Sequence, residues 1–216
     1  LAPSIEAFGP TPREFIISET PPLPRIWFIQ EPGNALIQLQ SDRFIYNWRK
    51  VTEDDEYPRY EKVFADYQKY LDIFLEFIDE TKIEKPLPVQ YELSYINQIP
   101  PEDGWSSYDD IHNILPDYNW TGKNKEILDK LENFSWHNSF VMPDNTGRLH
   151  ITIKNARRVE DDVNLLRVEL IARGIDKSKP LNSCKEWFDL AHEWIVKGFV
   201  DMTDSEVQRK TWERAK

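Results

Sequence analysis

Cysteine, histidine and glycine are all scarce in this chain of 216 residues, which carries one, four and seven of them. The single thiol, Cys184, excludes an internal disulfide and points to a reducing compartment, so a cytoplasmic location is expected. No run approaches eighteen apolar residues, which excludes a membrane-spanning helix, and Leu1 to Pro12 lack the basic start and apolar stretch of a secretory signal. The glycines are isolated from one another, so neither a phosphate loop nor a dinucleotide fingerprint is present. Positive charge is also short: 27 basic against 38 acidic side chains leave a net charge of −11. Such a balance favours solubility and disfavours nucleic acid or anionic lipid as partner.

What the chain has in abundance is aromatic side chains, with eight Trp, nine Tyr and eleven Phe in regular amphipathic patterns. Residues 1–24 hold six prolines between Pro3 and Pro24 and read as a proline-rich arm, which Phe8, Phe15, Ile16 and Ile17 could pin to the body. From Arg25 the spacing predicts three strands, Arg25 to Ile29, Ala35 to Gln40 and Arg43 to Trp48, reversed at Pro32-Gly33-Asn34 and at Ser41-Asp42. The acidic run Glu53 to Glu56 followed by Tyr57-Pro58 reads as a helix entrance. Tyr60, Val63, Phe64, Tyr67, Leu71, Phe74, Leu75 and Ile78 then mark a helix to about Glu80.

Lys82 to Pro88 reads as a linker and Val89 to Ile99 as a strand; Tyr108 to Leu115 reads as a short helix. Phe134 to Val141, Arg148 to Asn155 and Leu165 to Arg173 read as further strands, the first two joined by the turn Asp144-Asn145-Thr146-Gly147. Ser183 and Glu186 have capping-box spacing before a helix with the stripe Trp187, Phe188, Ala191, Trp194, Ile195 and Phe199, which Gly198 is placed to end. Thr203 and Glu206 repeat that spacing before a short terminal helix. The expected fold is α+β: residues 25–216 form one domain with a largely antiparallel sheet built from two sheet-plus-helix halves, 25–102 and 132–216. Pairing the halves edge to edge would give one continuous sheet with its long helices packed on one face.

Catalytic constellations are thin. His192-Glu193 lacks the second histidine four residues on that a zinc-protease helix needs, since that position is Val196; pairs with Lys197 and Asp189 are expected instead. His112 with Asp109 and Asp110 lacks a fourth specified metal ligand, and Cys184 beside Lys185 lacks a base. Ser139 has no glycine-framed elbow. No catalytic residue, metal or cofactor is therefore assigned. Arg43, Asn47, Arg148 and His150 lie in strand patterns and are the ligand-binding candidates, provided they converge on one hollow. Trp105 and Trp120 are the interface candidates. A non-enzymatic interaction or regulatory protein, with a protein partner or self-association, comes first. A small-molecule binding module comes second, and a hydrolase or metal-dependent nuclease third.

Pro24 to Phe28, Leu36 to Lys50, Tyr57 to Tyr60, Tyr91 to Ile99, Gly147 to His150 and Trp187 to Val196 together resemble a sporadically distributed family of uncharacterised bacterial and archaeal proteins. The resemblance spans about nine tenths of the chain. It implies a further strand and helix before Leu1 and a patchy, defence-like occurrence, and it implies no agreed activity, catalytic residue or cofactor.

Overall fold

The computed structural model describes residues 25–52, 54–118, 120, 126–128, 131–158, 161–175 and 184–212. The proline-rich arm, Glu53 and the Ser183 cap lie outside the described residues. The fold is α+β, with two antiparallel sheets and three α-helices among the described residues. The chain divides into two compact units between Leu87 and Pro88.

In the first unit, β1 (Ile26–Gln30), β2 (Ala35–Gln40) and β3 (Arg43–Trp48) form a three-stranded meander in that order. Gly33, at φ 112°, accepts a conformation that a side chain would strain, and its amide returns to the Gln30 carbonyl at 2.6 Å. Alternation along β3 sends Phe44, Tyr46 and Trp48 to the face that meets α1 (Tyr60–Glu80) and its approach. Phe44 packs on Tyr67 and Phe74, Tyr46 stacks on Tyr70, and Trp48 meets Tyr57 edge-on. Each such pair contributes about 1 kcal/mol beyond the area it buries.

The acidic run does not cap α1. Asp55 instead closes the turn before it, accepting the amides of Thr52 at 2.6 Å and Val51 at 2.8 Å, and those two bonds hold its carboxyl below the ordinary range. Arg59, at φ 71°, makes the sharp entry to the helix.

In the second unit, β4 (Tyr91–Ile99), β5 (Ser135–Val141), β6 (Gly147–Arg157) and β7 (Asn164–Gly174) pair in the order β4-β7-β6-β5. Among the described residues the expected continuous sheet is not formed: the strands fall into two sheets, with β4 the outer strand of the second. α2 (Cys184–Met202) lies across β4, β7 and β6 and covers the apolar side of β4. Tyr91 meets Trp187 and Phe188, and Tyr95 meets His192. Leu149, Ile151, Ile153, Val168, Leu170, Ala172, Ala191 and Ile195 form the dry layer between sheet and helix.

Gly198 does not end α2, which continues to Met202. A Cβ there would stand 2.9 Å from Leu149 Cδ2, so the glycine lets the helix lie close on the sheet. Asp204, not Thr203, caps α3 (Ser205–Lys210), accepting the amides of Glu206 and Val207 at 2.8 and 3.0 Å. Thr203 instead donates to the Phe199 carbonyl, and buried Gln208 binds the carbonyls of Val200 and Thr203 from the other side of the corner.

Two local features yield measurable consequences. Gly174 lies opposite Gly147 in the ladder, and a Cβ on Gly174 would fall 2.1 Å from the backbone oxygen of Thr146. Gly174→Ala therefore destabilises the fold by about 3 kcal/mol, read from urea denaturation, because backbone cannot give way as a side-chain tip can. Tyr46 donates to Asp66 at 3.2 Å, and partial burial together with the Asp66 charge raises its phenol to about 12. The folded chain keeps this proton where the unfolded chain has lost it. The resulting stabilisation is complete below about pH 10 and disappears as pH rises to about 12. Asp66→Asn is expected to bring one tyrosine transition in an ultraviolet titration back toward the ordinary range.

Candidate functional site

With α2 on one face of the second sheet, period two sends the remaining residues to the other face. Register aligns them in four rows across β4, β7, β6 and β5. These rows are Gln98, Arg167, Lys154 and Ser135; Ile96, Glu169, Thr152 and His137; Ser94, Ile171, His150 and Ser139; and Glu92, Arg173, Arg148 and Val141. The rows contain four cations and two carboxylates, a local excess of positive charge on an acidic chain. Arg173 binds Glu92 at 2.6 Å, and Arg167 binds Glu169 at 2.5 Å.

At the β5–β6 side the Ser139 hydroxyl stands 2.8 Å from His150 Nδ1 and 3.2 Å from His137 Nε2. His137 Nδ1 is 2.9 Å from the Thr152 hydroxyl, and the two imidazoles stack at 5.8 Å. This is a chain of hydrogen bonds in which one serine proton serves either ring. Nucleophilic use would require a carboxylate to orient an imidazole and amides to hold an oxyanion. Glu169, the carboxylate in the His137 row, is bound to Arg167, and β6 spends its backbone groups on strands to both sides.

The four ligand-binding candidates divide between the units. Arg43 and Asn47 lie on β3 of the first unit, whereas Arg148 and His150 lie on β6 of the second. Arg43 forks onto Asp42 at 2.9 and 3.1 Å, and that bonding holds the Asp42 carboxyl below its ordinary range. The Asn47 amide nitrogen is buried without a hydrogen-bond partner, on the sheet face opposite the Phe44 side. Arg148 faces Arg173 across the ladder, and His150 belongs to the serine-linked pair.

Trp105 is not an exposed anchor. It is 6% exposed, donates to the Ile99 carbonyl at 3.3 Å and stacks on Tyr108, because the turn after β4 folds its ring inward. Trp120 is half-buried. Beside Trp105 and Tyr108 runs a groove of about 510 Å³, also lined by Leu131, Val163 and Asn164.

The other sequence candidates serve local structure. Asp110 accepts from Ser106 and Ser107, His112 stands 2.7 Å from the Asp109 carbonyl, and Lys185 pairs with Asp189. His192 Nδ1 lies 3.1 Å from the Tyr95 hydroxyl, and Glu193 pairs with Lys197 as expected. Among the described residues no group of three or more His, Cys, Asp or Glu side chains is placed to hold a metal ion.

The feature that sequence reasoning missed is the exposure of β1. Ile26, Trp27, Phe28 and Ile29 are 48–57% exposed, and the strand stands at the edge of its sheet among the described residues. The signal was present in the sequence as four consecutive apolar residues that point to both faces; Ile26 and Phe28, in register with Phe44 and Tyr46, stay exposed on the face that α1 meets, because α1 packs on β3 at the other side of the meander.

No family model, no curated protein and no solved structure matches this chain.

The buried position of Trp105 makes its substitution a matter of stability. Trp105→Ala is expected to cost about 3–5 kcal/mol of stability, seen as a lowered urea midpoint, because it opens a cavity and removes the bond to Ile99.

Proposed function

We propose that this chain is a non-enzymatic interaction protein that engages a protein partner along the edge of β1. The single observation that carries the reading is the exposure of Ile26, Trp27, Phe28 and Ile29 on a strand that stands at the edge of its sheet among the described residues. An edge strand offers unpaired amides and carbonyls, and soluble proteins ordinarily guard such edges with lysine, proline or a bulge. Ile26–Gln30 contains none of these guards. Strand addition is the mode such an edge supports: main-chain bonds supply affinity, and alternate side chains supply specificity. Trp27 and Phe28 are of the residue types that dominate binding energy once desolvated. Kinship with the sporadically distributed bacterial and archaeal family is likewise proposed, on the motifs from Pro24 to Val196.

A photo-cross-linking residue placed at position 28 of the full chain, in cells producing it, tests the reading. A protein adduct from position 28, absent when the probe replaces exposed Lys197, is the expected result. Equal yields at the two positions would overturn it.

A further inference from the structure

Resting on that reading, we infer that the strand added to β1 is β1 of a second copy, running antiparallel about a twofold axis at Phe28. The segment from Arg25 to Glu31 is self-complementary in this register. Phe28 meets its own counterpart, Trp27 meets Ile29, Ile26 meets Gln30, and Arg25 meets Glu31, each of the last three pairs occurring twice. An aromatic residue opposite an aliphatic one and opposite charges facing across strands are the pairings that stabilise antiparallel ladders. Arg25 and Glu31 are both exposed at the two ends of the uncharged strand, where a second chain can reach them.

Backbone geometry agrees. In an antiparallel sheet alternate residues direct their N–H and C=O groups to one neighbour, and the others direct theirs outward. Whether the outward set on β1 is Ile26, Phe28 and Gln30 or the residues between them, it is symmetric about Phe28. A twofold pairing therefore satisfies the same groups on both copies, as a self-complementary interface requires. Other registers place Arg25 or Glu31 opposite apolar residues. The pairing would join two three-stranded meanders into a six-stranded sheet, covering the β1 edge of each and leaving β3 at the two ends.

A short edge pairing lies at the small end of specific interfaces, below about 1,200 Å², so a concentration-dependent dimer is expected. At physiological salt the repulsion between two chains of net charge −11 is largely screened beyond about 8 Å. The test is sedimentation equilibrium of the full chain from about 1 to about 200 µM, micromolar being the range of modest interfaces. Arg25→Glu and Glu31→Arg each turn two attractive pairs into two repulsive ones and are expected to weaken dimerisation by about tenfold. The double exchange restores opposite charges and is expected to recover most of that loss. A chain that stays monomeric throughout, or a double variant no better than the singles, would overturn the inference. Adducts from position 28 to a different protein, with the chain itself monomeric, would overturn self-pairing and leave strand addition standing. The absence of any adduct would remove both.

Discussion

The carbonyl of Thr146 is the point on which the second unit turns. It receives the indole N–H of Trp187 at 3.0 Å in a buried setting, and it lies where a side chain on Gly174 would have to be. The hairpin between β5 and β6 ends at this residue, with Asp144 and Asn145 both in the left-handed region, so the turn fixes where the oxygen points. Helix, turn and ladder are thus fastened by one acceptor. An orphaned buried carbonyl costs about 1–3 kcal/mol, which makes each of its neighbours intolerant of exchange.

From that fastening the open face follows. Trp187 sets the rotation of α2, α2 covers the odd-numbered residues of β6, and the even-numbered ones turn outward. The hairpin register then brings His150 to Ser139 and His137 to Thr152. A slip of one residue would place these polar groups in the apolar layer, so the same packing that stabilises the sheet determines its surface chemistry.

Features governed by neighbours in the chain were legible from the sequence. Ala35–Gln40, Arg43–Trp48 and Tyr60–Glu80 follow from alternation, turn residues and helical spacing, all local properties. Features governed by distant partners were not. The partner of β4 is β7, a strand that begins only at Asn164, and the burial of Trp105 depends on which side its turn folds. Gly198 read as a stop because glycine commonly ends helices, yet here its missing side chain serves the sheet beneath. At the candidate site the residue types were visible, but the pairing of His137 with His150 needed the register, and the exposure of β1 needed the position of α1 over β3.

The ion pairs carry one further consequence. Those seen among the described residues are mostly between near neighbours in sequence and well exposed, such as Lys185 with Asp189 and Lys210 with Glu206; Arg173 with Glu92 spans the sheet. Exposed pairs of this kind contribute little to stability and less in brine. The architecture rests on aromatic and aliphatic contact, which concentrated salt does not dissolve, so for this acidic chain ionic strength governs encounters with other molecules far more than the integrity of its own folded form.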